Sequence, residues 1–306
     1  MNTERMEIHQ LEMLRELGEL GSVKAVAEAL MVTPSAVSQQ LAQLQRSAGV
    51  PLTRREGRQL VLTAAGAVLA DAGAAVVLAM AGAKAAIGVY YDDPHTAVTV
   101  SGFHSAGQVL FSALARDLSG AGAPVLQFSD EDVAQQDFPG LTARYDLVLA
   151  HRLDHSPPWP ADRVAVVPLV HEPLDVALPA GHPLAVKEAL SAQDVAGWPW
   201  VTSRPGYSPA DVLGVIASVS NRPVTVMHRI NDYSTVAALV AAGSGIGLLP
   251  RYTARPALAP DVVLRPLLGI NASRRIDILA RPENLKRRSV QLVCEALQRI
   301  MAGLAG

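Results

Sequence analysis

The stretch SVKAVAEALMVTPSAVSQQLAQLQ, residues 22–45, holds two short helices separated by a break of a few residues. Ser22 stands where a hydroxyl caps the first helix. Thr33 does the same for the second, and Pro34 fills a first-turn position whose amide needs no acceptor. In the second helix Val37, Leu41 and Leu44 recur on one side, while Ser35, Ser38, Gln39 and Gln43 lie largely elsewhere. One side packs, and the other is left to touch something outside the fold.

Upstream, Leu11, Leu14, Leu17 and Leu20 recur at helical spacing, and Gly18 and Gly21 end that segment. Downstream, residues 50–63 form two strand-like runs around Gly57, which predicts a β-hairpin carrying Arg54, Arg55 and Arg58 against a single opposing Glu56. An alanine-rich helix is predicted from Ala64 to about Tyr91, with Leu69, Val76, Met80 and Ile87 spaced by seven, four and seven. So narrow a seam suits a partner helix in a second copy, the alternative being a helix pair within the chain. Asp92-Asp93-Pro94 then stops it. The purely apolar part, Ala72 to Ala83, is too short and too rich in small residues for a membrane span.

Beyond Pro94 short apolar runs alternate with helical stretches. Ala97–Val100, Pro124–Leu126, Asp146–Leu149 and Val164–Leu169 read as strands, with a helix at Val109–Leu118. A second cycle has strands at Asp175–Leu178, Trp200–Thr202, Thr225–Met227 and Ile246–Pro250, with helices at Ala210–Val219 and Val236–Ala242. The chain returns through Ile276–Leu279 and a final helix, Ser289–Leu304. This order predicts βα units around parallel sheet, in two lobes joined by crossing strands.

The chain is 306 residues long, 50% hydrophobic and 18% charged, which describes folded domains with little room for disordered tails. Its net charge of -2 is no nucleic-acid signature, so any such reading rests on local charge. The lone Cys294 argues against disulfides and thiolate metal sites, and no cofactor is expected. The first residues lack the basic flank and apolar run of a secretory signal, so a cytoplasmic, non-membrane protein is expected. No HExxH, GxxxxGK[ST] or GxSxG motif occurs, and Gly243-Ser244-Gly245-Ile246-Gly247 lacks the acidic follow-up of a dinucleotide site, so an enzyme is not expected.

These residues carry a family resemblance. Gly21-Ser22, Ala27-Glu28-Ala29-Leu30, the run Val32 to Leu41, and Leu62-Thr63-Ala64-Ala65-Gly66 resemble the DNA-binding head of LysR-type transcription regulators. Pro168-Leu169, Leu174 to Leu184 and Val236 to Pro250 resemble their effector half. Three positions depart from the family pattern. Thr53 stands where Phe is usual, Gln39 stands where Arg is common, and the usual acidic residues after Gln45 are missing.

The resemblance implies an α/β multidomain protein: a winged helix-turn-helix over 1–63, a linker and dimerisation helix over 64–93, and a two-lobed effector domain of periplasmic-binding-protein type over 94–306. Lobe I would take about 94–166 and 268–306, and lobe II about 167–267. Double-stranded DNA, a small-molecule effector and a homodimer or homotetramer are the implied partners. Short polar side chains read base edges, and cations hold phosphates. Ser35, Ser38 and Gln39 are therefore the groove candidates, with Thr33 and Pro34 near the backbone and Arg54, Arg55 and Arg58 on phosphates; a solvated charge run is the plainer reading of the arginines. In the effector half a cleft at strand ends exposes helix N-termini that favour anions. Ser101, Phe103, His104, Ser105, Ser129, Asp130, His151, Thr202, Ser203 and Arg204 form the candidate ring, suited to a polar or carboxylate metabolite. Asp130 has a competing role as a helix cap, and His104 as an ordinary packed or solvent-facing histidine.

Overall fold

The computed structural model describes residues 6–57, 59–88, 97–255 and 260–305. The head is built from α1 (Ile8–Leu20), α2 (Val23–Ala29) and α3 (Pro34–Ala48), followed by a hairpin of β1 (Thr53–Glu56) and β2 (Gln59–Leu62). Ser22 and Thr33 cap α2 and α3 by accepting the Ala25 and Ala36 amides at 3.1 and 3.2 Å. Leu14, Leu17, Val26, Val37, Leu44 and Leu52 close a small core. Eleven buried apolar residues in all make up this core, the burial that a three-helix unit of this size needs to be stable.

The linker α4 (Ala64–Gly88) is long and apolar enough by composition to cross a membrane, but one stripe of it is spent on the head. Gly66, Gly73 and Val77 are buried, and a Cβ on Gly66 would sit 2.0 Å from the Leu52 carbonyl, so only glycine allows the helix to start this close to the hairpin. Of the seam read from sequence, Leu69 packs on the head core, whereas Val76, Met80 and Ile87 stay exposed. Residues 89–91, where the helix was expected to end, lie outside the described residues.

The rest of the chain forms β3 (Val98–Gly102), α5 (His104–Asp117), β4 (Leu126–Asp130), α6 (Phe138–Leu141), β5 (Leu147–Leu153), β6 (Ala165–Pro179), β7 (Leu190–Ser191), α7 (Ala192–Val195), β8 (Pro199–Thr202), α8 (Ser208–Ser220), β9 (Thr225–Arg229), α9 (Tyr233–Ala241), β10 (Ile246–Pro250), β11 (Val262–Arg265), β12 (Leu267–Leu268), β13 (Ser273–Ala280) and α10 (Arg288–Ala305). Among the described residues one nine-stranded sheet runs β4-β3-β5-β13-β6-β10-β8-β9, with β11 added to β6. The outer pairs are parallel, as the βα order predicts, but β13, β10 and β11 run antiparallel to β6.

Two runs expected as separate strands, 164–169 and 175–178, are one strand of 15 residues. Its first part pairs with β13 and its last part with β10 and β11, so β6 is the strand that crosses between lobes. Pro168 and Pro173 hide this in the sequence. Pro168 sits at a register shift opposite Ile276/Asp277, a setting in which a strand tolerates proline, and Pro173 sits where pairing passes from β13 to β10. Lobe I is sealed by α5 and α10 around Leu110, Leu149, Ile278 and Leu297, and lobe II by Trp200, Val212, Ile216 and Leu248. The glycine-rich run before β10 is explained by packing: a Cβ on Gly245 would meet the Pro199 carbonyl at 2.7 Å.

The head is also tied to lobe I. Arg281, just past β13 and almost fully buried, donates to Glu16 at 2.9 Å and to Glu19 at 2.7 Å, and Arg15 pairs with Glu283 at 2.8 Å.

Candidate functional site

Two places collect the polar side chains singled out above. The first is the outer side of α3, where Thr33, Pro34, Ser35, Ser38 and Gln39 are all exposed while Val37, Leu41 and Leu44 face the core. The Thr33 and Ser35 hydroxyls lie 3.0 Å apart, and Ser38 donates to the Pro34 carbonyl at 3.0 Å, which leaves its lone pairs outward. Gln39 has no hydrogen-bond partner among the described residues, and its neighbour Gln40 turns inward to accept from Gln10 at 2.9 Å, locking α1 to α3. The helix is held by one amide and offers the next.

The hairpin beside it is anchored by Gln45, whose side-chain carbonyl accepts the Leu52 amide at 3.0 Å and the Thr53 amide at 3.4 Å. Leu52 is buried and Thr53 half-buried, so Leu52 and Gln45 supply the anchor that Thr53 is too small to give. Arg54 pairs with Glu56, and Arg55 is exposed with no ion pair among the described residues. Arg58 lies outside the described residues. Sequence reasoning missed Met31, 92% exposed in a left-handed turn just before α3.

The second place is the cleft between lobes. A cavity of only about 30 Å³ is lined by Phe103, His104, Ser105, His151 and Ser203 from the candidate ring. The other five do not line it. Ser101 and Thr202 are buried in β3 and β8 with hydroxyls that find no partner, Ser129 lies beside Ser101 in β4, and Asp130 and Arg204 are exposed at the mouth. Asp130 sits 3.2 Å from His104 Nδ1 and caps no helix among the described residues, while His104 Nε2 is 3.2 Å from Asp232 of lobe II. Asp132 completes the closure: its carbonyl accepts from Tyr207 at 3.1 Å, and its carboxylate accepts from Asn231 at 3.1 Å.

The floor is a buried ion pair absent from the sequence reading. Arg274 and Glu172 are 1% and 0% exposed and 2.9 Å apart. Glu172 also accepts the Tyr252 and Thr253 amides at 2.9 and 2.6 Å, and Arg274 donates to Thr253 Oγ1 at 2.8 Å and Ser105 Oγ at 3.3 Å. Phe103 and Tyr233 cover the guanidinium at 4.9 and 5.9 Å. Both charges are met, so each is tolerable in a dry place. His151 lies edge-on to Phe103 and Phe138, with Nδ1 3.2 Å from Ser208 Oγ across the lobe boundary. Burial, helped by the nearby Arg274 charge, holds its pKa well below the usual imidazole value, so the ring is neutral. The one available signal was an arginine pair, Arg274-Arg275, running straight into the apolar strand Ile276–Leu279.

Comparison with known proteins identifies the two halves of the chain that carry these places. Residues 8–67 match the bacterial regulatory helix-turn-helix model of the lysR family, and residues 94–302 match the LysR substrate binding domain. The chain is 25% identical over 300 residues to the hydrogen peroxide-inducible genes activator of Escherichia coli, covering 97% of each protein. It superposes on a full-length OxyR variant from Pseudomonas aeruginosa with a TM-score of 0.67 at 19% identity, covering 96% of this chain and 95% of that one. It also superposes on full-length CbnR in complex with its target DNA with a TM-score of 0.54 at 19% identity, covering 97% and 100%. The chain therefore belongs to the LysR family, as a transcriptional regulator with a helix-turn-helix DNA-binding domain followed by a substrate-binding domain.

Proposed function

We propose that this regulator reads a specific duplex through Thr33, Pro34, Ser35, Ser38 and Gln39, grips phosphates through the hairpin arginines, and is switched by a small carboxylate entering the cleft. The observation that carries the effector reading is the buried Arg274, ringed by the Ser105 and Thr253 hydroxyls. A ligand carboxylate can share that cation, with Ser105 and the neutral His151 as further hydrogen-bond partners. A cavity of about 30 Å³ holds a single water, so binding requires the Asp132 and His104 contacts at the mouth to open. Effector affinity is then higher for the opened state, which is what shifts its population.

The exposed side of α4, with Val68, Val76, Met80 and Ile87, suits a second copy of the chain, giving a homodimer or homotetramer. We place lobe I over about 94–166 and 268–306 and lobe II over about 167–267, with β6 and the chain just before β13 as the crossings. Action on chromosomal DNA puts the protein in the cytoplasm. The test is a panel of monocarboxylates screened by thermal shift on the full chain, followed by titration of duplexes from its own promoter region. A ligand that raises Tm, changes duplex affinity and loses both effects in Ser105→Ala supports the reading. Absence of salt-sensitive duplex affinity would overturn the DNA half, and a silent panel the effector half.

A further inference from the structure

A second cavity, about 610 Å³, opens where lobe I meets the first turn of α8 and Glu19 of the head. It shares no lining residue with the cleft. Its size falls within the ~300–1,000 Å³ of small-molecule sites, whereas the cleft is shut.

Two of its walls differ in chemistry. One is Pro157, Pro158, Trp159 and Pro160; proline rings fix the backbone, so this apolar wall exists before any ligand arrives. The other is cationic, with Arg152 and Arg163, neither of which makes an ion pair among the described residues. Arg152 is poorly served: its guanidinium lies 6.0 Å from the Trp159 ring, one long bond of 3.4 Å reaches the Ser156 carbonyl, and its Nε is buried with no partner. A guanidinium has five donors in a planar fork that matches a carboxylate.

We propose that this cavity is a second ligand site, taking a small aromatic monocarboxylate with its carboxylate on Arg152 and its ring against Trp159 and the prolines. Three acidic groups also reach the cavity and set the charge limit. Glu19 is bound to Arg281, Asp211 accepts from the Gln135 amide at 3.2 Å, and Asp137 is exposed at the rim. They leave Arg152 able to hold one negative charge and repel a phosphate or dicarboxylate. Because head, lobe I and lobe II all contribute to this cavity, occupancy would bias their arrangement without entry into the cleft.

The test is fluorine NMR of the full chain carrying 5-fluorotryptophan at its three tryptophans, Trp159, Trp198 and Trp200, assigned with Trp159→Phe. Phenylacetate is expected to move the Trp159 signal saturably and leave the other two. Arg152→Gln should weaken this by about tenfold or more, the loss expected for a charged hydrogen-bonded partner. Neither 2-phenylethylamine nor phenyl phosphate should reproduce it. A Trp159 signal that stays put up to about 10 mM phenylacetate, equal affinity in Arg152→Gln, or an equal response to the amine overturns the site. If Arg152→Gln disturbs Trp198 and Trp200, the fold has changed and Arg152→Lys decides instead. Lysine keeps the charge and loses the fork, so unchanged affinity there overturns the proposal as well.

Discussion

The outer side of α3 and the floor of the cleft are both polar, yet they spend their polar groups in opposite ways. On α3 the Gln39 amide has no partner among the described residues, and the exposed Thr33 and Ser38 hydroxyls make only local bonds within the helix's first turns. On the cleft floor Arg274, Glu172, Thr253 and Ser105 satisfy one another in the dark. A partner made of DNA can therefore be met by an unchanged surface, whereas a ligand in the cleft must compete with bonds that already hold the lobes together.

The largest loss is expected when one side of the buried pair is deleted. Arg274→Gln leaves Glu172 uncompensated and is expected to cost about 3–5 kcal/mol in urea denaturation. Arg274→Met with Glu172→Gln should recover most of that, because glutamine still accepts the Tyr252 and Thr253 amides and no charge remains buried. A single variant that loses less than about 1 kcal/mol would show that the floor is not the structural element described.

On α3 the same surgery should leave stability alone and change reading. Gln39→Ala is expected to alter unfolding by under about 0.5 kcal/mol and discrimination between duplexes by about 1–3 kcal/mol. Arg55→Ala should weaken all duplexes alike and lower the slope of log affinity against log salt by about one. Equal losses on all sequences for Gln39→Ala would mean that it touches backbone rather than bases.

This contrast also explains what could be read in advance. The head is local: the caps Ser22 and Thr33, Pro34 and the Val37, Leu41, Leu44 stripe lie within 23 residues, so spacing alone sets which side chains face out. Most longer strands and helices of both lobes were legible in the same way, but α6, β7, α7, β11 and β12, of two to four residues each, carry too little periodicity to be read. The cleft floor was not, because Glu172, Thr253 and Arg274 come from a crossing strand, the turn after β10 and β13, and none carries a local motif. The ring drawn from strand ends located the mouth and rim, with Phe103, His104, Ser105, His151 and Ser203 at the cavity, but Ser101 and Thr202 turned out to sit within their strands. The prolines of β6 concealed the crossing itself by imitating a strand end.

A smaller effect comes from His151. Its folded pKa is depressed, so below the unfolded value of about 6.5 the unfolded chain binds a proton that the folded chain refuses. The stability it contributes is present above that pH and lost as pH falls, at up to about 1.4 kcal/mol per unit. Tm followed from pH 7 downward should fall less steeply in His151→Gln than in the native chain. Parallel curves would mean that the imidazole titrates freely and is not enclosed by Phe103 and Phe138.

The smallest effect expected is none at all, and it separates this chain from a relative of similar fold. The E. coli protein to which it is 25% identical is named for hydrogen peroxide, and cysteine-based peroxide chemistry on a protein runs through an accessible thiolate. Here the only cysteine is Cys294, buried in α10, its thiol pushed up to about 12 by burial and by the neighbouring Glu295. At neutral pH the thiolate fraction of such a group is on the order of one in 10⁵, and with one cysteine no disulfide can form within the chain. In a Met31→Leu background, which removes the exposed thioether beside α3, duplex affinity should therefore be the same before and after peroxide, and the same again with Cys294→Ala added. An oxidant-dependent change that disappears in Cys294→Ala would show that α10 opens far enough to expose the thiol, and that lobe I is less tightly closed than Leu110, Ile278 and Leu297 around it imply.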